Sequence, residues 1–275
     1  KDGDEETLDY LKSRVKPFIL RRTKSQVARD LPPKVETVHY CDLVDEQRDL
    51  YNALAKKLKD QVLKDVDEKG LAKSQMSILD ALLKLRQICC HPRLLKLDMP
   101  GVSTNLPSGK FDAFQDLITD IIESGHKVLV FSQFVQMLHV IRSWLQIRDI
   151  PFAYLDGASK DRFEQVDRFN EDPDIPIFLI SLKAGGTGLN LTSADYVIHY
   201  DPWWNPAVED QATDRTHRIG QKRQVFAYKM ICQNTVEEKI LKLQEQKKDV
   251  AEAIIPGQTA LKSLTREDLE MLFDI

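Results

Sequence analysis

The feature that most constrains the fold is a series of short apolar runs, separated by amphipathic stretches, in the second half of the chain. Continuous apolar runs are typical of strands buried on both faces, and their alternation with helices predicts a parallel sheet. Between the runs, residues such as Met137, Ile141 and Leu145 recur at helical spacing. The fold class is therefore α/β, with helices on both faces of the sheet. The predicted strands are 128–131, 152–155, 177–180, 196–200 and 225–230.

The part of the chain before this alternation follows a different pattern. A strand is predicted over 34–43, which is rich in Val, Thr and Tyr and follows two prolines. Two helices follow, one over 45–62, where apolar residues recur every four positions, and one over 74–91. A loop at 96–108, rich in Pro, Gly, Ser and Thr, separates the two regions. The sequence thus predicts a mainly helical region joined to an α/β region.

Composition excludes several classes of protein. The formal net charge is -4, so a nucleic acid would have to be bound by local clusters of positive charge. No apolar stretch is long enough to span a bilayer, and the charged N-terminus does not resemble a signal peptide. The four cysteines have no framework spacing, which argues against a disulfide-stapled secreted fold. We expect an intracellular protein without membrane association. The cysteines are Cys41, Cys89, Cys90 and Cys232.

A glycine-rich loop follows the strand that ends near residue 180. In parallel α/β sheets the functional loops lie at the carboxyl ends of the strands. Glycines without side chains let backbone N–H groups approach a phosphate, while Lys183 adds a charge and Thr187 a hydroxyl. The alternative interpretation of this loop is a flexible connection between a strand and a helix. The loop reads SLKAGGTGLNL over 181–191.

A helix is predicted within 201–221. Asn205 is a suitable cap, Pro206 suits the first turn, and Gly220 is expected to end the helix. Gln211, Arg215 and Arg218 follow at offsets of four and three, which predicts one helix face.

A pair of arginines on one face can clamp a phosphate. The guanidinium fork pairs with phosphate oxygens and keeps its charge, so Arg215 and Arg218 are candidate γ-phosphate ligands, with Gln211 beside them. The alternative is a solvated face on which Asp210 or Asp214 pairs with the arginines.

These segments together resemble the SWI/SNF family of helicase-like ATPases. The run DQATDRTHRIGQ is similar to motif six of that family, and the resemblance extends in family order along nearly the whole chain. The similar segments are 17–34 (PFILRRTKSQVARDLPPK), 85–92 (LRQICCHP), 128–134 (VLVFSQF), 155–162 (LDGASKDR), 183–195 (KAGGTGLNLTSAD) and 210–221.

The resemblance implies a RecA-like, doubly wound, mostly parallel sheet with an N-terminal helical protrusion and a C-terminal brace helix. It implies four parts: 1–44 as the end of a first lobe and the connector, 45–107 as the protrusion and linker, 108–232 as the second RecA-like lobe, and 233–275 as the brace helix and tail.

The resemblance also implies a role for each site residue. Arg215 and Arg218 would act as arginine fingers with Gln211 beside them, and Trp203 would pack in the interior. Loop residues such as Ser132, Gln133 and Asn190 have an alternative, which is to satisfy backbone groups of their own loops. The nucleotide-linked set would be Gly188, Asn190 and Asp214. The DNA-binding set would be Ser132, Gln133, Arg162, Lys183, Ala184, Gly185, Gly186, Thr187 and Trp204.

The implied function is the second motor lobe of an ATP-dependent translocase on double-stranded DNA. ATP and Mg²⁺ would be bound mainly by the protein's own N-terminal RecA-like lobe, since the sequence has no G-x-x-x-x-G-K-[ST] motif and no DEAH-like box. We expect this chain alone to be inactive and monomeric, and DNA-bound proteins to be possible partners of the full protein. Two alternatives stay open: a strand-separating helicase lobe, and a non-catalytic DNA-binding or regulatory module.

Two further motifs are interpreted as structural. The sequence Ser-Gly-Lys at 108–110 lacks the first glycine and the preceding strand of a phosphate loop, so it predicts a helix start. Cys89, Cys90 and His91 are predicted to form core at a helix end and to bind no metal, because adjacent cysteines cannot easily face one ion.

Overall fold

A parallel sheet of six strands forms the centre of the molecule. The computed structural model describes residues 10, 14–15, 28, 30–71, 73–95, 106–186, 188–251 and 266–274. The strand order is β1-β6-β5-β2-β4-β3, and every strand pairing in these residues is parallel. The α/β prediction is confirmed. The strands are β1 (Lys34–Cys41), β2 (Val128–Ser132), β3 (Phe152–Leu155), β4 (Ile177–Ser181), β5 (Tyr196–His199) and β6 (Val225–Cys232).

Helices cover both faces of this sheet. Alternate strand residues point into two cores, one shared with α3 and α4 and the other with α5 and α6, which makes the sheet doubly wound. None of the helices in the described ranges is long and apolar enough to cross a membrane. The helices are α1 (Asp45–Lys69), α2 (Gln75–Cys90), α3 (Gly109–Glu123), α4 (Val135–Ile147), α5 (Arg162–Glu171), α6 (Pro206–Thr213), α7 (Val236–Ala251) and α8 (Arg266–Leu272), with 3₁₀ turns at Pro92–Leu94 and Ala184–Gly186.

The predicted protrusion and brace share a third core. Apolar stripes on α1 and α2 face each other, and Ile240 and Leu243 of α7 pack into the same cluster together with α8. The helices of the predicted protrusion therefore contact the predicted brace helix α7. Each amphipathic helix buries its apolar stripe against the others, which is the main source of stability for such helices.

Strand β1, from the segment predicted to form the connector, lies at the edge of the same sheet as β2 to β6. It pairs along its whole length with β6, from Lys34 opposite Val225 to Cys41 opposite Cys232. The strand itself was predicted, but its partner was not. Helices α1 and α2 thus lie in the chain between two strands of one sheet.

A buried lysine joins the start of α3 to the end of β5, to β6 and to α7. Lys110 is fully buried, and its Nζ donates to the carbonyls of Tyr200 (3.1 Å) and Met230 (3.0 Å) and to the carboxylate of Glu237 (2.5 Å). Burial alone would lower the pKa of Lys110, but the Glu237 carboxylate together with Cys232 and Cys90 outweighs it, so the pKa is raised. Ser108 caps α3 by accepting from the Phe111 N–H at 3.3 Å, which confirms the predicted helix start.

Candidate functional site

The loops that follow β2, β4 and β5 meet at the carboxyl edge of the sheet, as the parallel order requires. Leu182 N–H donates to the Ser132 carbonyl at 2.9 Å, and Tyr200 N–H donates to the Phe131 carbonyl at 2.9 Å. The loop after β3 joins them through Arg162. The predicted motif-like loops are therefore neighbours.

The glycine loop is shaped by contacts within the protein. The Arg162 guanidinium donates to the Ala184 carbonyl, inside the 3₁₀ turn Ala184–Gly186. Gly185 lies so close to the ring of Phe131 that a Cβ would be 2.9 Å from Phe131 Cε1. Gly188 has φ +56°, a left-handed conformation that favours glycine. Lys183 is exposed at the start of the loop, and Thr187 lies outside the described residues.

Ser132 is buried, and its hydroxyl is used inside the protein. The hydroxyl donates to the Asp201 carboxylate and accepts from the Phe134 N–H at 3.0 Å. The backbone N–H of Gln133 also reaches Asp201, at 3.3 Å. Burial raises the pKa of Asp201 to about 6, against the opposing effects of Arg86 and Ser132. The geometry favours the structural alternative for Ser132.

Sequence reasoning missed Arg86 of α2. Its guanidinium lies 3.6 Å from the Asp201 carboxylate and donates to the Pro202 carbonyl and to Gln133 Oε1 (3.2 Å). The side chain is buried between the rings of Phe134 and Trp204. The available signal was a lone arginine next to apolar positions of a helix stripe. Because a buried arginine needs partners, that position predicts a network.

The two tryptophans after β5 occupy different cores. Trp203 packs against the sheet core, as expected, and its backbone N–H donates to the Glu209 carboxylate at 2.6 Å. Trp204 is half-buried against the protrusion and brace core, beside Arg86. Its assignment to DNA remains a prediction that applies to the exposed part of the ring.

The arginines do not lie on helix α6, so the prediction of one helix face was wrong. The helix is capped by Asn205, whose Oδ1 accepts from the Ala207 N–H at 3.0 Å, and it has Pro206 in its first turn, as predicted. However, it ends at Thr213 instead of continuing to Gly220. Residues 214–220 form tight turns, in which N–H groups bond to carbonyls two to four residues back. Gln211 stays on the helix and is exposed.

The early helix end has a physical cause in the residues around Thr213. Its hydroxyl pairs with His199 of β5 at 2.9 Å, and Thr216 is fully buried three residues later. His217 Nε2 lies 2.7 Å from the Pro32 carbonyl, just before β1. Gly220 then has φ +104°. These contacts hold residues 213–217 against the sheet, and the turn at Gly220 directs the chain towards β6. A straight continuation of α6 would not make these contacts.

The turn that bears the arginines is joined to the end of the glycine loop. Leu191 N–H donates to the Arg215 carbonyl at 3.1 Å, and Arg218 Nη1 donates to the Leu189 carbonyl at 3.4 Å. Partial burial and the charge of Arg218 lower the pKa of Arg215, so two positive charges lie near each other. Asn190 is exposed between these contacts. Of the two alternative partners, Asp210 lies in the middle of α6, 3.8 Å from Lys34, while the charge of Asp214 raises the pKa of Arg215 and so opposes the effects of burial and of Arg218.

One group of potential metal ligands occurs in the described residues, and it does not suit a cation. Donor atoms of Cys89, Cys232 and Glu237 lie within 4.8 Å of one another. However, Glu237 already pairs with the Lys110 ammonium, and burial raises the pKa of the Cys89 thiol well above its usual value. A metal would need a thiolate and a free carboxylate here. His91 uses its Nδ1 to accept from the Arg93 N–H at 3.2 Å.

Comparisons with known proteins agree with this arrangement. The family described as "Helicase conserved C-terminal domain" matches residues 109–220, and the "SNF2-related domain" matches residues 1–94. A domain described as the C-terminal domain of the Sulfolobus solfataricus SWI2/SNF2 ATPase is 34% identical, with a TM-score of 0.66 over 87% of this chain and 97% of that one. The SWI2/SNF2 ATPase core of the same organism in complex with dsDNA is 37% identical, with a TM-score of 0.70 over 98% of this chain and 57% of that one.

The doubly wound sheet with these loops at its carboxyl edge is a RecA-like C-terminal lobe of the helicase type. More specifically, the chain belongs to the SWI/SNF family, also called SNF2.

Two curated relatives extend the comparison. A putative ATP-dependent helicase/translocase of Bacillus subtilis is 39% identical over all of this chain and 30% of its own length. The mouse SWI/SNF-related regulator of chromatin, subfamily A member 1, is 38% identical over 89% of this chain and 24% of its own length. The chain thus spans less than a third of these curated relatives.

Proposed function

We propose that this chain is the second motor lobe of an ATP-dependent translocase on double-stranded DNA, and that Arg215 and Arg218 are its arginine fingers. The observation that carries the proposal is the paired-arginine turn. Two guanidiniums lie near each other, one partly buried and one exposed, where the turn is bonded to the end of the glycine loop. In addition to burial, the charge of Arg218 lowers the pKa of Arg215 more than the charge of Asp214 raises it, so a polyanion such as a triphosphate would stabilise the pair further.

The glycine loop supplies the proposed contact with DNA. Lys183 and Gly188 are exposed on this loop, which follows β4 at the carboxyl edge of the sheet. Arg162 supports this loop through the Ala184 carbonyl, so we assign it a positioning role. Gln133 and Trp204 would flank the DNA path. The archaeal relative whose core was solved with dsDNA supports duplex DNA as the ligand.

The remaining parts of the reaction are assigned to the first lobe of the full-length protein. Phosphoryl transfer requires a phosphate loop and carboxylates for Mg²⁺, and neither motif is present in the 275 residues. We therefore propose that this chain alone does not hydrolyse ATP. In the full-length protein, DNA-bound proteins would be displaced or remodelled. Clear DNA-stimulated turnover by the chain alone would contradict this assignment.

The test of the arginine fingers is DNA-stimulated ATP turnover by the full-length protein with alanine and lysine variants of Arg215 and Arg218. Loss of one finger should lower turnover roughly 10³- to 10⁵-fold, because negative charge spreads over the γ-phosphate oxygens in the transition state. Lysine should not restore turnover, since it lacks the planar fork. Nucleotide affinity should fall much less than turnover, since the first lobe would make most contacts with ATP.

Arg223→Ala is the matched control, because Arg223 is an exposed arginine nearby that pairs with Asp195 at 3.3 Å. It should leave turnover nearly unchanged. The double variant should be far less damaging than the product of the single effects, because both arginines act on one charge. Near-normal turnover in both single alanine variants would remove the assignment. A duplex strand-displacement assay on the same protein decides between translocase and strand-separating helicase.

A further inference from the structure

A buried path of side-chain contacts runs from the glycine loop to the turn that bears the arginines. It begins at Phe131 of β2, whose ring lies directly against Gly185. The same ring stacks on the imidazole of His199 at 5.6 Å between centroids, with 19° between the planes. Phe131 is 1% exposed and His199 is 2% exposed, so the path is closed to solvent.

The path continues from β5 to α6 through one hydrogen bond. His199 Nε2 lies 2.9 Å from the hydroxyl of Thr213, the last residue of α6. The Thr213 carbonyl then accepts from the N–H groups of Thr216 (3.0 Å) and His217 (3.1 Å). These bonds close the turn that contains Arg215. Thr213 therefore lies between the imidazole and the arginine backbone.

The His199 imidazole is held neutral in this position. Burial is the main reason that its pKa falls to about 3, and the charge of Lys229 adds to the effect. Lys34 acts in the same direction, while Glu36 opposes it. Among the residues that the structure describes, Nδ1 has no hydrogen-bond partner. The ring therefore has one polar contact that fixes it, the bond to Thr213.

We propose that His199 is a positioning residue that couples DNA in the glycine loop to the arginine turn, through Phe131 and Thr213. This proposal rests on the proposed function. A shift of the loop backbone at Gly185 meets the Phe131 ring at once, because there is no free space between them. The ring stack and the hydrogen bond then transfer the displacement to the end of α6. DNA binding would thus place Arg215 for catalysis.

The test measures ATP turnover of the full-length protein without DNA and with saturating duplex DNA. His199→Phe keeps the ring and removes the hydrogen bond, and Thr213→Val removes the hydroxyl with little change of shape. Each should reduce the stimulation by DNA on the order of 10-fold, within the usual range of coupling between sites. The Kd for duplex DNA should stay within about twofold, because both side chains are buried. The double variant should be no worse than either single variant, because both remove the same contact.

Two further variants serve as controls. Thr213→Ser retains the hydroxyl and should keep the stimulation, which separates coupling from a general packing defect. Phe226→Leu removes a ring that stacks on Tyr196 near the other end of β5, away from the path, and should also keep it.

The outcomes separate this proposal from the one on which it rests. Normal stimulation in both His199→Phe and Thr213→Val, or equal loss in Thr213→Ser and Thr213→Val, would overturn the coupling role alone. A wild-type protein whose turnover does not respond to DNA would instead refute the proposed function.

Discussion

Two buried histidines give the folded protein a pH dependence that can be measured. The pKa of His199 falls to about 3 through burial and nearby lysines, and that of His91 falls to about 4 through burial and Arg93. An unfolded histidine has a pKa near 6.5. The unfolded chain therefore binds more protons between these values, so this contribution to stability is present above about pH 6.5 and is lost as the pH falls.

For His199 alone, the loss between pH 7 and pH 5 should be about 2 kcal/mol. Urea unfolding of the wild type and His199→Gln at both pH values measures it, because the difference between the two proteins cancels opposing groups such as Asp201. The free energy of unfolding of His199→Gln, taken relative to that of the wild type, should therefore rise by about 2 kcal/mol between pH 7 and pH 5. His139→Gln, at an exposed position, is the control for losing one imidazole. A difference that is the same at both pH values would contradict the prediction.

Gly185 permits a close approach that no other residue allows. A methyl group at this position would meet the Phe131 ring at 2.9 Å, so Gly185→Ala must displace the ring or the loop. We expect a loss of stability of about 1–3 kcal/mol, the usual cost of overpacking, together with weaker DNA binding. Gly157→Ala is the matched control, because a Cβ there meets nothing within 4 Å. Thermal unfolding and duplex binding of both variants test this, and equal behaviour would show that the loop adapts.

At the scale of elements, the buried ion pair between Lys110 and Glu237 joins α3 to α7, and the same ammonium also bonds to the end of β5 and to β6. Glu237→Gln leaves a buried ammonium without its counter-charge, which should cost roughly 3–5 kcal/mol. Adding Lys110→Met to that variant should recover part of the loss, because the uncompensated charge is gone. Urea unfolding of the two single variants and the double variant measures the coupling.

The exposed pair Lys84–Asp80 on α2 is the control for this experiment. Lys84→Ala should change the free energy of unfolding by less than about 0.5 kcal/mol, since surface pairs contribute little. If Glu237→Gln were equally mild, the ammonium would have found other partners, and the ion pair would not be what joins these elements.

The elements that could be predicted from sequence are those set by local pattern. The apolar runs of β2, β4 and β5 and the cap at Asn205 depend on residues close together in the chain, and all were confirmed. The end of α6 was predicted wrongly, because it depends on the hydrogen bond between Thr213 and His199. His199 lies on a separate strand, so no local sequence pattern indicates this contact. Likewise, Arg86 and Asp201 meet only when α2 packs on the lobe. Sequence spacing predicted that the candidate loops meet at one edge of the sheet, while the contacts of their residues depended on tertiary packing.

For the whole molecule, the acidic balance sets how DNA should bind. With a net charge of -4, the chain alone should bind duplex DNA weakly, without sequence preference, and with an affinity that falls steeply with salt. Fluorescence anisotropy tests this with duplexes of different sequence between about 50 and 200 mM salt. Over that range, strong phosphate binders lose about 10³-fold or more in affinity. Lys183→Ala should weaken binding further and reduce the salt slope by about 1. Lys84→Ala on the protrusion is the control.

Tight binding that is insensitive to salt, or preference for one base sequence, would contradict this expectation. Unchanged binding by Lys183→Ala would move the DNA contact away from the glycine loop. At this scale, the strand pairing of β1 was the feature least predictable from the sequence. The pattern of residues 34–43 predicted a strand, but no local signal shows that its partner is β6.

The pairing of β1 with β6 has a consequence for synthesis on the ribosome. The two strands are separated by roughly 190 residues, since Lys34 lies opposite Val225. At a translation rate of about 5–20 residues per second, β1 leaves the exit tunnel on the order of 10 s or more before its partner. During that interval its open edge can pair with other chains. Chaperone capture of nascent chains that end before residue 225 should therefore exceed that of chains that include β6.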